Sequence, residues 1–326
     1  MMNSLDSLKN LILNNKRFAL FSHLRPDGDA YGTSLGFALS LRAAGKEVAL
    51  YNEDGLSPLF EFLPQSQLIS RPPTTPPSET ILIAVDTATQ DRLGPTFLSW
   101  KTEVDLNLDH HISNSGYGKI NWIDAESPAS AQVLYEIILA LKLPLTPEVA
   151  QCLYVGIMTD TGSFRYRQTT AKTLEIAAGL IRAGASPSEL SQACYQSYPA
   201  SRLLLQKEVL NTVQFDHHQQ IAYFSLTPEM FQISGAHSDE TEGLVESLQS
   251  VRSVEVAFVL EKIDEKTTRA SLRSRGTIDV QKIASEFGGG GHTLAAGIRS
   301  RLPLAELKQK LLEKIRISLQ SASGLK

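Results

Sequence analysis

Through the first half of the chain, short apolar runs alternate with helical stretches, and three of four runs lead straight into an aspartate or a histidine. Residues 17–22, 47–51, 80–85 and 103–108 read as strands. Helices are expected over 29–44, with Gly45 as the stop, and over 127–141 and 147–158. Uninterrupted apolar runs such as 80–85 suit parallel strands buried on both faces. This alternation restricts the first half to an α/β domain with a doubly wound, mainly parallel sheet.

In such sheets ligands gather outside the carboxyl ends of the strands. There the sequence places His23-Leu24-Arg25-Pro26-Asp27-Gly28-Asp29, then Asp86, then Asp109-His110-His111. Asp160 ends an apolar helix and is followed by Thr161-Gly162-Ser163-Phe164-Arg165. Each piece alone has a plain reading: Pro26-Asp27-Gly28 as a turn, Asp86 as a helix cap. Together, at the ends of four elements, they point to a cation site. Carboxylates mixed with imidazoles suit Mn²⁺ better than a thiolate-loving metal. So many acids call for two cations, about 3.5–4 Å apart in such sites, with one carboxylate able to bridge them.

Charge narrows the partners. The chain has 31 basic and 35 acidic residues, net −4, which excludes a coat on long duplex nucleic acid held by charge alone. Residues 1–190 carry net −5 and residues 191–326 net +1, so the halves hold different chemistry. Two cysteines, Cys152 and Cys194, cannot build a disulfide scaffold or an all-cysteine zinc site. The most apolar stretch, 133–145, is broken by Glu136, Lys142 and Pro144, so no membrane span is expected. With no signal-like start either, a cytoplasmic protein is the expectation.

The second half reads as a smaller α+β domain, with strands over 221–226, 254–261 and 268–275 and helices over 241–251 and 280–286. In 268–275 the strand period puts Arg269, Ser271, Arg273 and Arg275 on one face, suited to phosphate. Gly288, Gly289, Gly290 and Gly291 can take positive φ and offer amides to an anion. His292 follows, at the expected start of a small-residue helix, which also favours phosphate.

Other signals are weaker. Asp216-His217-His218 has no partner carboxylates at strand ends and reads as a polar hairpin turn. Gly32-Thr33-Ser34-Leu35-Gly36 fits G-x-S-x-G, but Ser34 falls inside a helix rather than on a strand-to-helix elbow. Gly28, Gly32 and Gly36 instead suggest a helix face packed closely on a neighbour. Tyr31 and Ala38 replace ligands an EF-hand needs, and no P-loop motif is present.

The set His23/Asp27/Asp29, Asp86, Asp109-His110-His111 and Asp160 resembles the four motifs of the DHH phosphoesterase superfamily. The tail from Ser285 to Gly297 resembles its DHHA1 substrate domain. Size and domain pairing are most similar to the stand-alone NrnA-type members. These degrade very short oligoribonucleotides and remove the 3′-phosphate of 3′-phosphoadenosine 5′-phosphate. The one departure from pattern is Leu24-Arg25 ahead of Pro26, outside the ligand positions.

The resemblance implies one Mn²⁺ on His23, Asp27 and Asp86, and a second on Asp29, Asp86, His110 and Asp160, with Asp86 bridging. It implies that His111 faces substrate as acid or phosphate contact and that Asp109 orients a histidine. Arg273, Gly289, Gly290, Gly291, His292 and, more weakly, Arg165 would hold the nucleotide. The expected division is a catalytic domain over 1–187, a linker over 188–204 and a substrate domain over 205–326, with the active site in the cleft between. Short RNA or small nucleotides are the expected partners, without duplex nucleic acid or membrane, and a homodimer stays open. A cyclic- or linear-dinucleotide phosphodiesterase would share these motifs, and an inactive nucleotide-binding regulator is the reading from another class.

Overall fold

The computed structural model describes residues 4–241 and 243–323 and divides into two units, Met1–Ser197 and Tyr198–Lys326. The first unit runs α1 (Leu5–Asn14), β1 (Arg17–Phe21), α2 (Gly28–Ala43), β2 (Glu47–Tyr51), β3 (Ile69–Ser70), β4 (Ile81–Val85) and α3 (Pro95–Ser99). It continues through β5 (Val104–Asp109), β6 (Gly118–Ile123), α4 (Ser130–Leu141), α5 (Pro147–Asp160), α6 (Ala171–Arg182) and α7 (Pro187–Tyr195).

Its six strands lie in the order β3-β2-β1-β4-β5-β6, and every pair is parallel. Side chains alternate across the sheet, as a period of two requires. Phe18 and Leu20 of β1 enter the core built with α1, α2, α4 and α5. Ala19 and Phe21 enter a smaller core with Phe97 of α3. Trp100 closes that second face with edge-on contacts to Phe21. The strand order reverses between β1 and β4, and an open α/β sheet presents its ligand crevice at that switch.

The expected alternation and parallel sheet are observed, with small shifts of the expected elements' ends and two edge strands, β3 and β6, that were not expected. The close helix face is also present: a Cβ on Gly32 of α2 would stand 2.5 Å from the Cys152 carbonyl oxygen of α5. Only glycine lets the two helix backbones approach so nearly. Ser34 lies inside α2, its hydroxyl spent on the Ala30 carbonyl, so no nucleophile elbow exists there. Cys152 is fully buried core.

The second unit runs α8 (Ala200–Leu210), β7 (Gln214–Asp216), β8 (Ile221–Leu226), α9 (Pro228–Ser234), α10 (Leu244–Leu248) and β9 (Val256–Lys262). Then follow β10 (Thr268–Ser274), α11 (Val280–Ser285), β11 (Gly290–Gly291), β12 (Ala295–Ser300) and α12 (Leu304–Ser323). The sheet order is β11-β12-β10-β9-β8-β7, antiparallel except for the β8–β9 pair. Val256, Phe258, Ala270 and Leu272 face a core with Leu307, Leu311 and Ile315 of α12. Ala222, Phe224 and Ala257 face a second core with Leu205 and Val209 of α8.

Three expectations change here. The stretch 188–204, expected as a linker, contains the boundary between the two units and is largely helical: Pro187 opens α7 and Pro199 precedes α8, each at a helix start where its missing N–H costs nothing. The helix expected over 241–251 shrinks to α10, preceded by Gly243 in the left-handed region. No helix starts at His292. Residues 295–300 form β12, paired with β10, and His292 lies in the tight turn joining β11 to β12. Asp216-His217-His218 does turn a hairpin, between β7 and β8. No helix among the described residues is long and apolar enough to cross a membrane.

Candidate metal centre

The carboxyl ends of β1, β4 and β5 deliver the acidic and histidine residues to the switch point of the first sheet. His23 follows β1, Asp86 follows β4, and Asp109 ends β5 ahead of His110 and His111. Asp27 caps α2, accepting from the amides of Asp29 and Ala30. Asp29 sits in the first turn of α2, and Asp160 ends α5. The glycine contact between α2 and α5 brings these last two near one another.

Within the first unit, three overlapping groups hold donor atoms within 4.8 Å of one another: His23, Asp27 and Asp86; Asp29, Asp86 and His110; and Asp86, Asp109 and His111. Asp86 is common to all three. Its φ of 53° is left-handed, an uncommon conformation that persists where the surroundings impose it. Its oxygens divide. Oδ2 lies 3.4 Å from His23 Nε2, and Oδ1 lies 3.5 Å from His110 Nε2.

Both histidines present Nε2 because Nδ1 is otherwise engaged. His23 Nδ1 lies 2.8 Å from the Leu24 carbonyl oxygen, and Arg92 Nη2 lies 3.1 Å from the same Nδ1. The shorter contact faces an acceptor, so Nδ1 carries the proton, and Arg92 bonds the Leu24 carbonyl as well. His110 Nδ1 donates to the Ser127 carbonyl at 3.2 Å. Fixing one ring nitrogen aims the other, as in metal-bound histidines generally. His110 Nε2 also lies 3.2 Å from Asp160 Oδ2 and 3.8 Å from Asp29 Oδ2.

His111 is held differently. Its Nδ1 lies 2.7 Å from Asp109 Oδ1, and Asp109 Oδ2 accepts from Asn114 Nδ2. Asp109 is fully buried, so it acts on His111 from beneath. Burial would raise Asp109, but His111 beside it and the two hydrogen bonds hold its carboxyl well below the usual range.

The electrostatics ask for cations. Burial pushes Asp86 and Asp160 well above the carboxylate range, and the charges of Asp29 and Asp27 push both the same way. Burial lowers His23 to about 4, so its imidazole is neutral and fit to bind metal at neutral pH. Carboxylates that repel one another, with imidazoles aimed among them, match the donor set of divalent cations.

Residues 17–157 match the model of the DHH family, N-terminal domain, and residues 219–320 match the DHHA1 domain. A bifunctional oligoribonuclease and PAP phosphatase NrnA from Thermus thermophilus is 35% identical over 306 residues, covering 93% of this chain and 90% of that protein.

The chain belongs to the DHH family.

A NrnA of Bacillus subtilis is 28% identical to this DHH protein over 286 residues, covering 85% of this chain and 87% of the relative. The crystal structure of an exopolyphosphatase-related protein from Bacteroides fragilis superposes with a TM-score of 0.84 at 24% identity, covering 97% of both chains. That likeness concerns the fold. With the fold of this family, the clustered histidines and aspartates constitute a hydrolase centre suited to divalent cations.

In the DHHA1 domain the sequence-predicted residues are placed less simply. Arg273 lies on β10, its Nε donating to Glu246 Oε1 at 2.7 Å and its Nη1 to the Leu272 carbonyl at 3.0 Å. Arg269 pairs with Glu261. Arg275 lies past the strand end and clamps the carbonyls of Gln249, Val251 and Arg252. Arg269 and Arg273 thus each pair with a glutamate, and Arg275 is a structural clamp. Gly290 and Gly291 form β11 against β12, and a Cβ on Gly289 would strike the Gly297 carbonyl oxygen. Gly289 and Gly291 permit close strand packing, and the run does not lead into a helix. In the first unit, Arg165 follows Gly162, Ser163 and Phe164, all at positive φ, and its Nε donates to the Gly162 carbonyl at 2.6 Å.

Sequence reasoning missed Ser130, Thr33, Asn114 and Glu246. Thr33 Oγ1 donates to Asp29 Oδ1 at 2.9 Å. Ser130 and Thr33 look like any helix-borne hydroxyl, and Asn114 like any loop amide. Only tertiary placement marks them.

Proposed function

We propose that the protein is a Mn²⁺-dependent phosphohydrolase of short nucleotides. It acts as an exoribonuclease on very short oligoribonucleotides, releasing nucleoside 5′-monophosphates, and as a 3′-phosphatase giving AMP from 3′-phosphoadenosine 5′-phosphate. The observation that carries this reading is the division of Asp86, one oxygen toward His23 and the other toward His110. The substrate class follows the names of the Thermus and Bacillus relatives.

In this reading His23, Asp27 and Asp86 hold one cation, and Asp29, Asp86, His110 and Asp160 hold the other. Two such cations, when bound, neutralise phosphoryl charge and bring the pKa of water down towards about 7. His111, held by Asp109, gives a proton to the departing oxygen or hydrogen-bonds the phosphate. The second unit grips the substrate: the outer N–H groups of Arg273 take a phosphate, and His292 beside the glycine strand takes the nucleotide; Arg165 of the first unit is a lesser contact.

A Mn²⁺-supplemented substrate panel tests the proposal. It comprises RNA dimers to pentamers, 3′-phosphoadenosine 5′-phosphate, linear and cyclic dinucleotides, long single-stranded DNA and pyrophosphate. Turnover concentrated on the short RNAs and 3′-phosphoadenosine 5′-phosphate is expected. Binding without hydrolysis would make the protein a regulator, and preferred, processive attack on long DNA would overturn the substrate class.

A further inference from the structure

The divided carboxylate of Asp86 needs something to hold it. The last torsion of an aspartate is broad and roughly two-fold, so sterics alone fix it weakly. Yet the oxygens of Asp86 must stay apart, one per histidine, if they are to serve two positions at once. Ser130 supplies the restraint. Its hydroxyl donates to Asp86 Oδ1 at 2.9 Å, and its side chain is fully buried.

The same residue reaches a second carboxylate. The amide of Ser130 donates to Asp29 Oδ2 at 2.6 Å, and the next amide, of Ala131, donates to Asp29 Oδ1 at 3.0 Å. Ala129 at the N-cap of α4 has no side-chain acceptor, so Asp29 of α2 satisfies these helix-start amides from outside. Space for that arrangement is tight: a Cβ on Gly156 would lie 2.7 Å from Asp29 Oδ1. Backbone and hydroxyl of one residue thus tie Asp29 and Asp86 to a common point. A serine hydroxyl at the first helical position is free to bond elsewhere, and here it is spent on a carboxylate.

We infer that Ser130 is a positioning residue of the cation centre, whose hydroxyl sets the rotation of the Asp86 carboxylate so that its two oxygens serve two cations. The inference rests on the two-cation reading above. Hydrogen-bond partners behind metal ligands carry about 10–100-fold in metal affinity. The bond also takes one acceptor position of Oδ1 and leaves the others open to a cation.

Ser130→Ala removes the hydroxyl and keeps both backbone bonds to Asp29, so α4 stays capped. Ser130→Cys keeps the volume with a weaker donor. Ser34→Ala, which deletes a buried hydroxyl bonded only to its own helix, is the control. Mn²⁺ stoichiometry and affinity are measured by calorimetry on the full chain stripped with EDTA, with the metal-free thermal midpoint recorded alongside. Ser130→Ala should weaken at least one Mn²⁺ binding event about 10–100-fold, Ser130→Cys by less, and Ser34→Ala not at all. Wild-type affinity in Ser130→Ala, with only the thermal midpoint lowered, would overturn the inference. Fewer than two Mn²⁺ bound by the wild type would instead sink the two-cation reading itself.

Discussion

Arg273 shows how one residue is prepared before any ligand arrives. Glu246 and the Leu272 carbonyl take two of its five N–H groups and leave the outer edge of the guanidinium to a phosphate. A hydrogen bond to a charged group contributes about 1.5–3 kcal/mol, roughly a 10–100-fold change in an equilibrium. Arg273→Ala should raise KM for 3′-phosphoadenosine 5′-phosphate by that factor and change kcat less, as steady-state kinetics would show. His111→Ala should do the reverse, lowering kcat by about 10²–10⁴-fold, the range of a general acid, while calorimetry still finds two bound Mn²⁺. An unchanged kcat would remove His111 from the chemistry. The clustering of histidines and aspartates was legible in the sequence because residue type coincides with the ends of strands and helices. Glu246 was not legible, because a glutamate in a short helix signals nothing until β10 is laid beside it.

The elements that matter most are α2 and α5, whose glycine contact sets the spacing of Asp29 and Asp160. A methyl group on Gly32 meets backbone, the Cys152 carbonyl oxygen, and cannot be absorbed by turning a side chain. Overpacking of this kind costs about 1–3 kcal/mol. Gly32→Ala should therefore lower the thermal midpoint and also weaken Mn²⁺ binding, since the helices carry the ligands with them. Loss of stability at undiminished Mn²⁺ affinity would mean that this helix spacing does not govern the centre. Elements with a clear period were readable: β8 was expected over the residues it occupies, and β1, β2, β4 and β5 shift by at most a residue at their ends, whereas the edge strands β3 and β6 were not expected. The segment after the four glycines was misread as a helix. Alanine and glycine carry no periodic signal, and what makes it a strand is the neighbouring edge of β10.

At the scale of the whole molecule, the acidity of residues 1–190 belongs largely to the centre: without Asp27, Asp29, Asp86, Asp109 and Asp160 that half would be neutral. Stability should therefore follow pH and metal together. Asp86 and Asp160 have folded-state values raised by burial. Their contribution is fully present below about pH 3.9, the unfolded carboxylate value, and is lost as pH rises through the folded values. His23, lowered by burial to about 4, works the other way: its contribution grows from about pH 4 to the unfolded value near 6.5. The carboxyl contribution falls as pH rises through the folded values, so Mn²⁺, which favours the ionised carboxylates, should raise the thermal midpoint of the EDTA-stripped protein by more at higher pH. A Mn²⁺-induced rise in midpoint that does not grow with pH would contradict the assignment of uncompensated charge.

The most direct test compares wild type with Asp86→Asn, which keeps the shape of the side chain and removes the charge both cation positions share. Hydrolysis of diadenylate and of 3′-phosphoadenosine 5′-phosphate to AMP is followed at saturating Mn²⁺. The wild type should convert both, and the variant should lose at least about 10²-fold in kcat, the scale of deleting one preorganised electrostatic contact. Undiminished turnover by Asp86→Asn, or none by the wild type, would contradict a two-cation centre built on Asp86.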